Sequence, residues 1–114
     1  MATLTVLTVT QAGLRDDNAL VAAAGGGDAF LPNQDTFCRV NNGGGSPITV
    51  TFVTPGLVGG LAIADGGGSV TNAQSRLFGP FPAELYADPT TGLVTVTYSG
   101  VTTVTIGAFY LPRP

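Results

Sequence analysis

The chain has 114 residues, which suits one domain and leaves little room for a second. Apolar residues make up 44% of the chain and charged residues only 10%, a combination that argues against intrinsic disorder. The net charge is −3 and the sequence contains neither lysine nor histidine, so we expect no nucleic-acid partner. Without lysine the chain has neither a P-loop lysine nor a Schiff-base lysine, and without histidine it lacks the commonest general base. We therefore expect no enzyme.

The first 27 residues differ in character from the rest of the chain. Residues 2–10 alternate, although Val6 and Leu7 break the phase, which predicts a bulge or a strand contacted on both sides. Residues 11–27 carry a charged cluster and a run of small residues that a short domain has difficulty burying. We therefore predict an N-terminal strand and extended arm over residues 1–27 and a β-sandwich domain over residues 28–114. The arm is expected to pack on a neighbouring subunit or partner through Leu4, Val6, Leu7, Val9, Leu14, Arg15, Leu20 and Val21.

Targeting signals are not apparent in the sequence. The N-terminus lacks a basic region followed by a continuous apolar run, so no signal peptide is expected. No stretch approaches the ~20 apolar residues that a membrane span requires, so we expect no membrane partner. Synthesis in the cytosol fits this sequence best.

The dominant pattern along the chain is a period-2 alternation of threonine with apolar residues, which is typical of strands. In residues 48–54 the aliphatic and aromatic side chains share one face and the threonines share the other. The same pattern recurs in residues 94–98 and 104–110. Each segment is therefore predicted to be a strand with one buried and one polar face, as in an antiparallel sheet.

Turn-forming residues separate these strands. Residues 41–47, Asn-Asn-Gly-Gly-Gly-Ser-Pro, divide two strands, and residues 88–92 precede the next. Ser99 and Gly100 make a tight link, which predicts a C-terminal hairpin of residues 93–99 with residues 101–111.

The middle of the chain is less regular. Residues 55–65 could form an apolar loop or a short strand flanked by glycines. Residues 78–82 contain two prolines, which donate no ladder hydrogen bonds, so they are predicted to form an edge or a corner with aromatic side chains beneath it. Residues 84–86 fit one helical turn or a short strand. The whole pattern predicts an all-β fold, a single antiparallel β-sandwich that is either immunoglobulin-like or a jelly roll.

Acidic residues are the first candidates for chemistry. Each carboxylate lies in a loop-like stretch where aspartate commonly caps turns, so no pair is marked as catalytic. Asp16, Asp17 and Asn18, together with Asp28, could offer oxygen ligands to calcium. Their spacing matches no EF-hand loop, so solvated turn acids are the preferred interpretation and no metal or cofactor is expected.

Aromatic and sulfur-containing side chains are the remaining candidates. A sugar-stacking platform could draw on several rings, but the chain has no tryptophan, and we interpret these rings as core or corner residues. They are Phe37, Phe78, Phe81, Tyr86, Tyr98 and Tyr110. The single cysteine, Cys38, has strand-like neighbours and no histidine to activate it, so a buried thiol that acts as a small hydrophobic side chain is predicted.

Several short motifs follow one another along most of the chain. They are residues 12–14, 26–33, 36–37, 40–51, 78–86 and 94–98. In this order they resemble the short β-rich virion proteins of tailed bacteriophages, in particular capsid decoration (cement) proteins encoded near the major capsid protein. The chain departs from that pattern at Cys38 and Arg39, where a more uniformly apolar pair is expected. The family offers no catalytic residues to carry over.

The resemblance implies a protein that docks in many copies on the outer surface of an expanded capsid and stabilises it. Its partners would be the major capsid protein and further copies of itself, in a closed cyclic homo-oligomer for which we expect a trimer. The mature location would be the outer surface of the virion, after synthesis in the host cytoplasm. Two alternatives stay open, a tail or head–tail junction component and a carbohydrate-binding adhesion module.

Overall fold

The computed structural model describes residues 2–15, 19–32 and 35–111. Within these residues the chain is mostly β-structure, and no helix there is long and apolar enough to cross a bilayer. In chain order the elements are β1 (Ala2–Thr3), β2 (Val6–Thr8), β3 (Val21–Ala22), β4 (Asp28–Phe30), β5 (Thr36–Asn42), β6 (Ile48–Phe52), β7 (Leu57–Val58), β8 (Leu61–Ala62), β9 (Gly66–Val70), β10 (Gln74–Phe78), the helical turn α1 (Ala83–Tyr86), β11 (Val94–Tyr98) and β12 (Val104–Tyr110).

The strands form two main sheets. The first sheet has the order β1-β4-β11-β6-β9, and the second has the order β10-β5-β12-β2, with β3 also paired to β12. Strands β7 and β8 make a separate short hairpin, whose turn residues Gly59 and Gly60 both have positive φ, as a type I′ turn requires. Neighbours are antiparallel except for β1 with β4 and β2 with β12, which are parallel. The all-β prediction is therefore confirmed, whereas the two parallel pairs were not anticipated.

Both sheets contribute to one apolar core. Buried and more exposed residues alternate along β5 and β6, as the period-2 pattern predicts. The largest fully buried apolar side chains are Phe30, Phe52, Ile106, Val40, Val50, Val70, Val94, Val96 and Val104. Burial of one such side chain contributes about 1.5–3 kcal/mol to folding. Because these residues come from both sheets, their burial holds the sheets together.

The predicted C-terminal hairpin is wrong, because β11 and β12 lie in different sheets. Strand β11 pairs with β4 and β6 in the first sheet, whereas β12 lies between β5 and β2 in the second. The link at Ser99 and Gly100 therefore crosses from one sheet to the other. The physical reason is that each strand has an apolar face, and these two faces join the same core.

The first 27 residues pair with both sheets of their own chain. Strand β1 runs along β4, and the Leu4 N–H donates to the Ala29 carbonyl at 2.7 Å. The chain then changes sheet, and β2 and β3 pair with β12. This change of sheet coincides with the phase break at Val6 and Leu7. The paired residues make their backbone hydrogen bonds within the chain, which argues against an extended arm at these positions.

Five aromatic rings lie together in and around the core. The Phe81 ring centroid lies 4.6 Å from that of Phe52, 5.3 Å from that of Phe30 and 5.3 Å from that of Tyr86. The Phe78 ring, at the end of edge strand β10, lies 5.3 Å from Phe52. The predicted corner with aromatic side chains beneath it is therefore confirmed, and the segment that follows it is the helical turn α1.

A buried asparagine joins the two sheets at the other end of β5. Asn42 is fully buried, and its Nδ2 donates to the Ser46 carbonyl at 2.8 Å and to the Val70 carbonyl at 3.0 Å. Its Oδ1 accepts a hydrogen bond from the Gly44 N–H at 3.0 Å. The Asn42 side chain, on β5 of the second sheet, therefore binds both the loop that follows β5 and Val70, the last residue of β9 in the first sheet.

We expect Asn42→Ala to lower the free energy of unfolding by about 3 kcal/mol, because it leaves buried backbone groups without partners. Urea denaturation measures the change. Asn41→Ala is the matched control, since Asn41 is the half-buried neighbour on the opposite face of β5, and it should change stability by less than about 0.5 kcal/mol. Equal losses in the two variants would contradict the role given to Asn42.

Hydrogen exchange tests the pairing of the N-terminal residues. In the isolated chain we expect slow exchange at the amides of Leu4 and Val9, because they donate to the carbonyls of Ala29 and Tyr110. The amide of Ala12, an exposed residue between the strands, should exchange fast and serves as the internal control. Equally fast exchange at all three amides would show that the N-terminal residues form a free arm instead.

Candidate functional site

The outer face of the second sheet carries two rows of side chains across its strands. In the first row Phe109 is paired in register with Leu7 on one side and with Phe37 on the other. The ring centroids of Phe37 and Phe109 lie 5.6 Å apart. In the second row Arg39 is paired with Leu77 and with Gly107. Strand pairing thus gathers apolar residues that are far apart in the sequence.

Part of the N-terminal segment, which includes Val9, Leu14 and Leu20, covers this face. Leu20 packs on Gly107 so closely that a Cβ added to that glycine would lie 2.8 Å from the Leu20 Cδ2. Phe109 points outward, yet it is only 3% exposed. Gly107 therefore leaves room for the segment, and the segment shields the Phe109 ring from water.

A groove remains between the covering segment and the open edge of the second sheet. We call it the outer groove. It has a volume of about 310 Å³ and is lined by Val9, Leu14, Phe37, Arg39, Leu77 and Phe109. Leu77, on edge strand β10, is 65% exposed. Arg39 is the ionisable side chain among the six. The groove is thus an apolar surface with one cation, open at a sheet edge.

The structure divides the predicted interface residues into several groups. Val9 and Leu14 line the outer groove, and Leu7 and Leu20 lie on the same face. Arg15 is exposed, and Val21 is 51% exposed on β3. Val6 packs against the core. Leu4 is 7% exposed and belongs to the core, which argues against its assignment to an interface.

The groove also contains residues that were not predicted, namely Phe37, Arg39, Leu77 and Phe109. Phe37 was interpreted as a core or corner ring, but it faces outward on β5. The alternation within β5 carried that signal, because Cys38 and Val40 are buried and their neighbours must face the other way. Leu77 and Phe109 needed the register between strands that are distant in sequence.

The carboxylates in the described residues act mainly as hydrogen-bond acceptors for loops. The Asp88 Oδ1 accepts from the Thr90 N–H at 2.7 Å. The Asp65 Oδ1 accepts hydrogen bonds from the backbone N–H and from the hydroxyl of Thr54. These two bonds, with the larger effect from the backbone N–H, hold the pKa of Asp65 below its ordinary value. The interpretation as a turn residue is therefore confirmed for Asp88, whereas Asp65 joins two segments that are eleven residues apart in the sequence.

Asp28 has a different environment from these loop acids. It is fully buried, and its Oδ2 accepts from the Tyr98 hydroxyl at 2.7 Å and from the Ala24 N–H at 3.2 Å. Burial, and to a smaller extent the hydrogen bond to Asp28, raise the pKa of the Tyr98 hydroxyl. Residues 2–15, 19–32 and 35–111 contain no cluster of three potential metal ligands. The calcium hypothesis also needs residues 16–18, which lie outside the described residues.

The six rings considered for a sugar platform do not form an exposed surface. Phe81 is 3% exposed and the other five are half-buried. Phe78, Phe81 and Tyr86 belong to the aromatic group around Phe52. Stacking on a sugar requires an accessible ring face, so these positions argue against a platform.

Comparisons of this chain with protein-family models, with curated proteins and with solved structures found no match. A function must therefore be argued from the described surfaces themselves. Within residues 2–15, 19–32 and 35–111, the outer groove combines apolar character with access to a partner.

The thiol of Cys38 is buried, as predicted, and burial raises its pKa above the ordinary value of about 9. The folded state therefore retains the proton at a pH where the unfolded chain loses it. Stability from this group is fully present below pH 9 and is lost as the pH rises further, by at most about 1.4 kcal/mol per pH unit.

Urea unfolding at a series of pH values tests this linkage. We expect the wild-type chain to lose more stability between pH 9 and pH 10 than Cys38→Val, which has no ionisable group at this position. A thiol reagent should modify folded Cys38 only as fast as the chain unfolds. Rapid modification of the native chain, or identical pH profiles, would show that the thiol is accessible.

Proposed function

We propose that this chain is a decoration protein that binds the outer surface of a tailed-phage capsid and stabilises the expanded shell. In this proposal the two sheets form a single sandwich, and the major capsid protein is the partner. Further copies of the chain would associate around a local symmetry axis, with a trimer as the expected form. The proposed location is the outer surface of the virion.

The observation that supports this proposal is the outer groove. Leu77 and the half-buried ring of Phe37 offer apolar area that a partner can cover, and Arg39 contributes a positive charge to the lining. The chain is only 10% charged, so a partner that covers its surface removes water from few ions. A standard interface buries about 800 Å² per partner, which requires more surface than the groove alone.

The covering N-terminal segment supplies adjoining surface. Its described residues 10–15 and 19–20 lie outside the strands. We propose that these residues have the role predicted for the arm, which is contact with a partner. Leu14 and Leu20 would stay packed on the sheet, and the exposed Arg15 would lie within the contact. Docking would then use the groove and its cover as one surface.

Binding to the mature lattice alone would stabilise that lattice by mass action. The gain is about 2.7 kcal/mol per site when the free protein exceeds its dissociation constant a hundredfold. Simultaneous binding by the subunits of an oligomer would strengthen attachment further. These effects require no catalytic group.

The test is co-sedimentation of the purified chain with expanded capsids and with procapsids assembled from the proposed partner, the major capsid protein. We expect binding to expanded capsids only, together with a higher capsid melting temperature. Copy number in purified particles separates the shell from the tail, since hundreds per particle indicate the shell and six or twelve indicate the tail axis. Equal binding to both shell states would remove the proposed stabilisation of the expanded shell.

Leu77→Glu should weaken capsid binding at least tenfold, about 1.4 kcal/mol, because it places a carboxylate in the apolar contact. The matched control is Leu61→Glu, since Leu61 is 73% exposed on β8 and does not line the outer groove. Neither variant should change the free energy of unfolding by more than about 0.5 kcal/mol. Equal capsid affinities of the two variants would exclude the groove as the docking surface.

A further inference from the structure

Strand β5 ends in the sequence Asn42-Gly43, which is the one Asn-Gly pair in the chain. Asparagine followed by glycine is especially prone to spontaneous deamidation. Glycine has no side chain to hinder attack by its own backbone nitrogen, and its backbone readily adopts the conformation that the attack needs. The sequence therefore places the reactants of a covalent change beside the buried asparagine that joins the two sheets.

This reaction consumes water and needs no other reagent. The Gly43 nitrogen forms a bond with the Asn42 Cγ and gives up its proton, while the side-chain amide nitrogen takes up a proton and leaves as ammonia. The product is a five-membered succinimide ring. Water then opens the ring at either of its carbonyls, which leaves an aspartate or an isoaspartate at position 42 and adds a negative charge to the chain.

The folded structure keeps both reacting groups in other hydrogen bonds. The Gly43 N–H donates to the Thr103 carbonyl at 2.9 Å, so the attacking nitrogen is already engaged. The Asn42 side chain is fully buried, and its Nδ2 donates to the carbonyls of Ser46 and Val70. Attack requires rotation of this side chain and loss of these bonds. Deamidation must therefore proceed through conformations in which the end of β5 has opened.

The products do not fit the site that Asn42 occupies. A carboxylate has no hydrogen to donate, so the Ser46 and Val70 carbonyls would lose their donor and face a negative charge. The site is fully buried, which adds the cost of removing a charge from water. Isoaspartate also lengthens the backbone by one carbon before Gly43, which displaces the N–H that pairs with Thr103.

We propose that Asn42 is a deamidation site that the fold protects, and that its modification in an unfolded chain prevents that chain from regaining the native structure. The rate of modification then follows the population of the open state, because opening and closing are fast relative to the reaction. The chain thus carries a covalent record of the time it has spent unfolded. This inference does not depend on capsid binding.

Incubation of the full chain in mildly alkaline buffer, with and without enough urea to unfold it, tests the protection. Peptide mass spectrometry measures the replacement of the side-chain NH₂ by OH. We expect Asn42 to react in urea and to react more than about a hundredfold more slowly in the folded chain, since a stable domain is rarely unfolded. Asn72, which is exposed and followed by Ala73, is the internal control and should change far less between the two conditions. Equal rates at Asn42 in both conditions would overturn the proposal.

Gly43→Ala tests the identity of the attacking nitrogen. The added methyl group hinders the attack, so we expect deamidation at Asn42 in urea to slow by about tenfold. Gly44→Ala is the matched control, because it leaves the Asn-Gly pair intact and should react like the wild type. Both measurements are made on unfolded chains, so neither variant has to fold. An unchanged rate in Gly43→Ala would contradict the mechanism.

Refolding tests the consequence of modification. Chains aged in urea are diluted into buffer, and anion exchange separates the deamidated chains by their added negative charge. We expect the native fraction to contain unmodified Asn42 only. Asn42→Asp, which carries the product side chain on a normal backbone, should raise the unfolding equilibrium constant by about a hundredfold or fail to fold, whereas Asn41→Asp on the opposite face of β5 should stay close to the wild type. Deamidated chains that refold with the wild-type urea midpoint would overturn the proposal.

Discussion

The burial of apolar side chains between the two sheets is the interaction on which the rest of the structure depends. Strands β4, β5 and β6 alternate between the sheets, and so do β9, β10, β11 and β12. Most consecutive strands therefore cannot hydrogen-bond to each other, and contact through the core is what holds them near one another. Asn42 and the aromatic group around Phe52 reinforce this core at different places along the strands.

Adjacent residues of the central strand β12 lie on opposite sides of the second sheet. Phe109 faces the outer groove, whereas Tyr110, which is paired in register with the buried Thr36, lies on the other side. Strand β5 repeats this arrangement with Phe37 and Thr36. Each strand is anchored through other residues in the core, such as Val40 and Ile106. The two central strands thus present an apolar surface on one face and join the core through the other.

The alternation of residue types was sufficient to predict which face of β6, β11 and β12 is buried, because burial follows the local period of a strand. It could not assign strands to sheets, because the pattern identifies a buried face and not the partner that covers it. The link at Ser99 and Gly100 therefore looked like a hairpin. The groove was predicted only through Val9 and Leu14, since Phe37, Leu77 and Phe109 come together through pairing between distant segments.

The central place of β12 has a consequence for biosynthesis. This strand pairs with β5, β2 and β3, and it follows all of them in the sequence. A nascent chain on the ribosome therefore cannot complete the second sheet until Tyr110 has left the exit tunnel. The second sheet must therefore form cooperatively once β12 has emerged, and chains interrupted before residue 104 would leave β5, β2 and β3 without their shared neighbour.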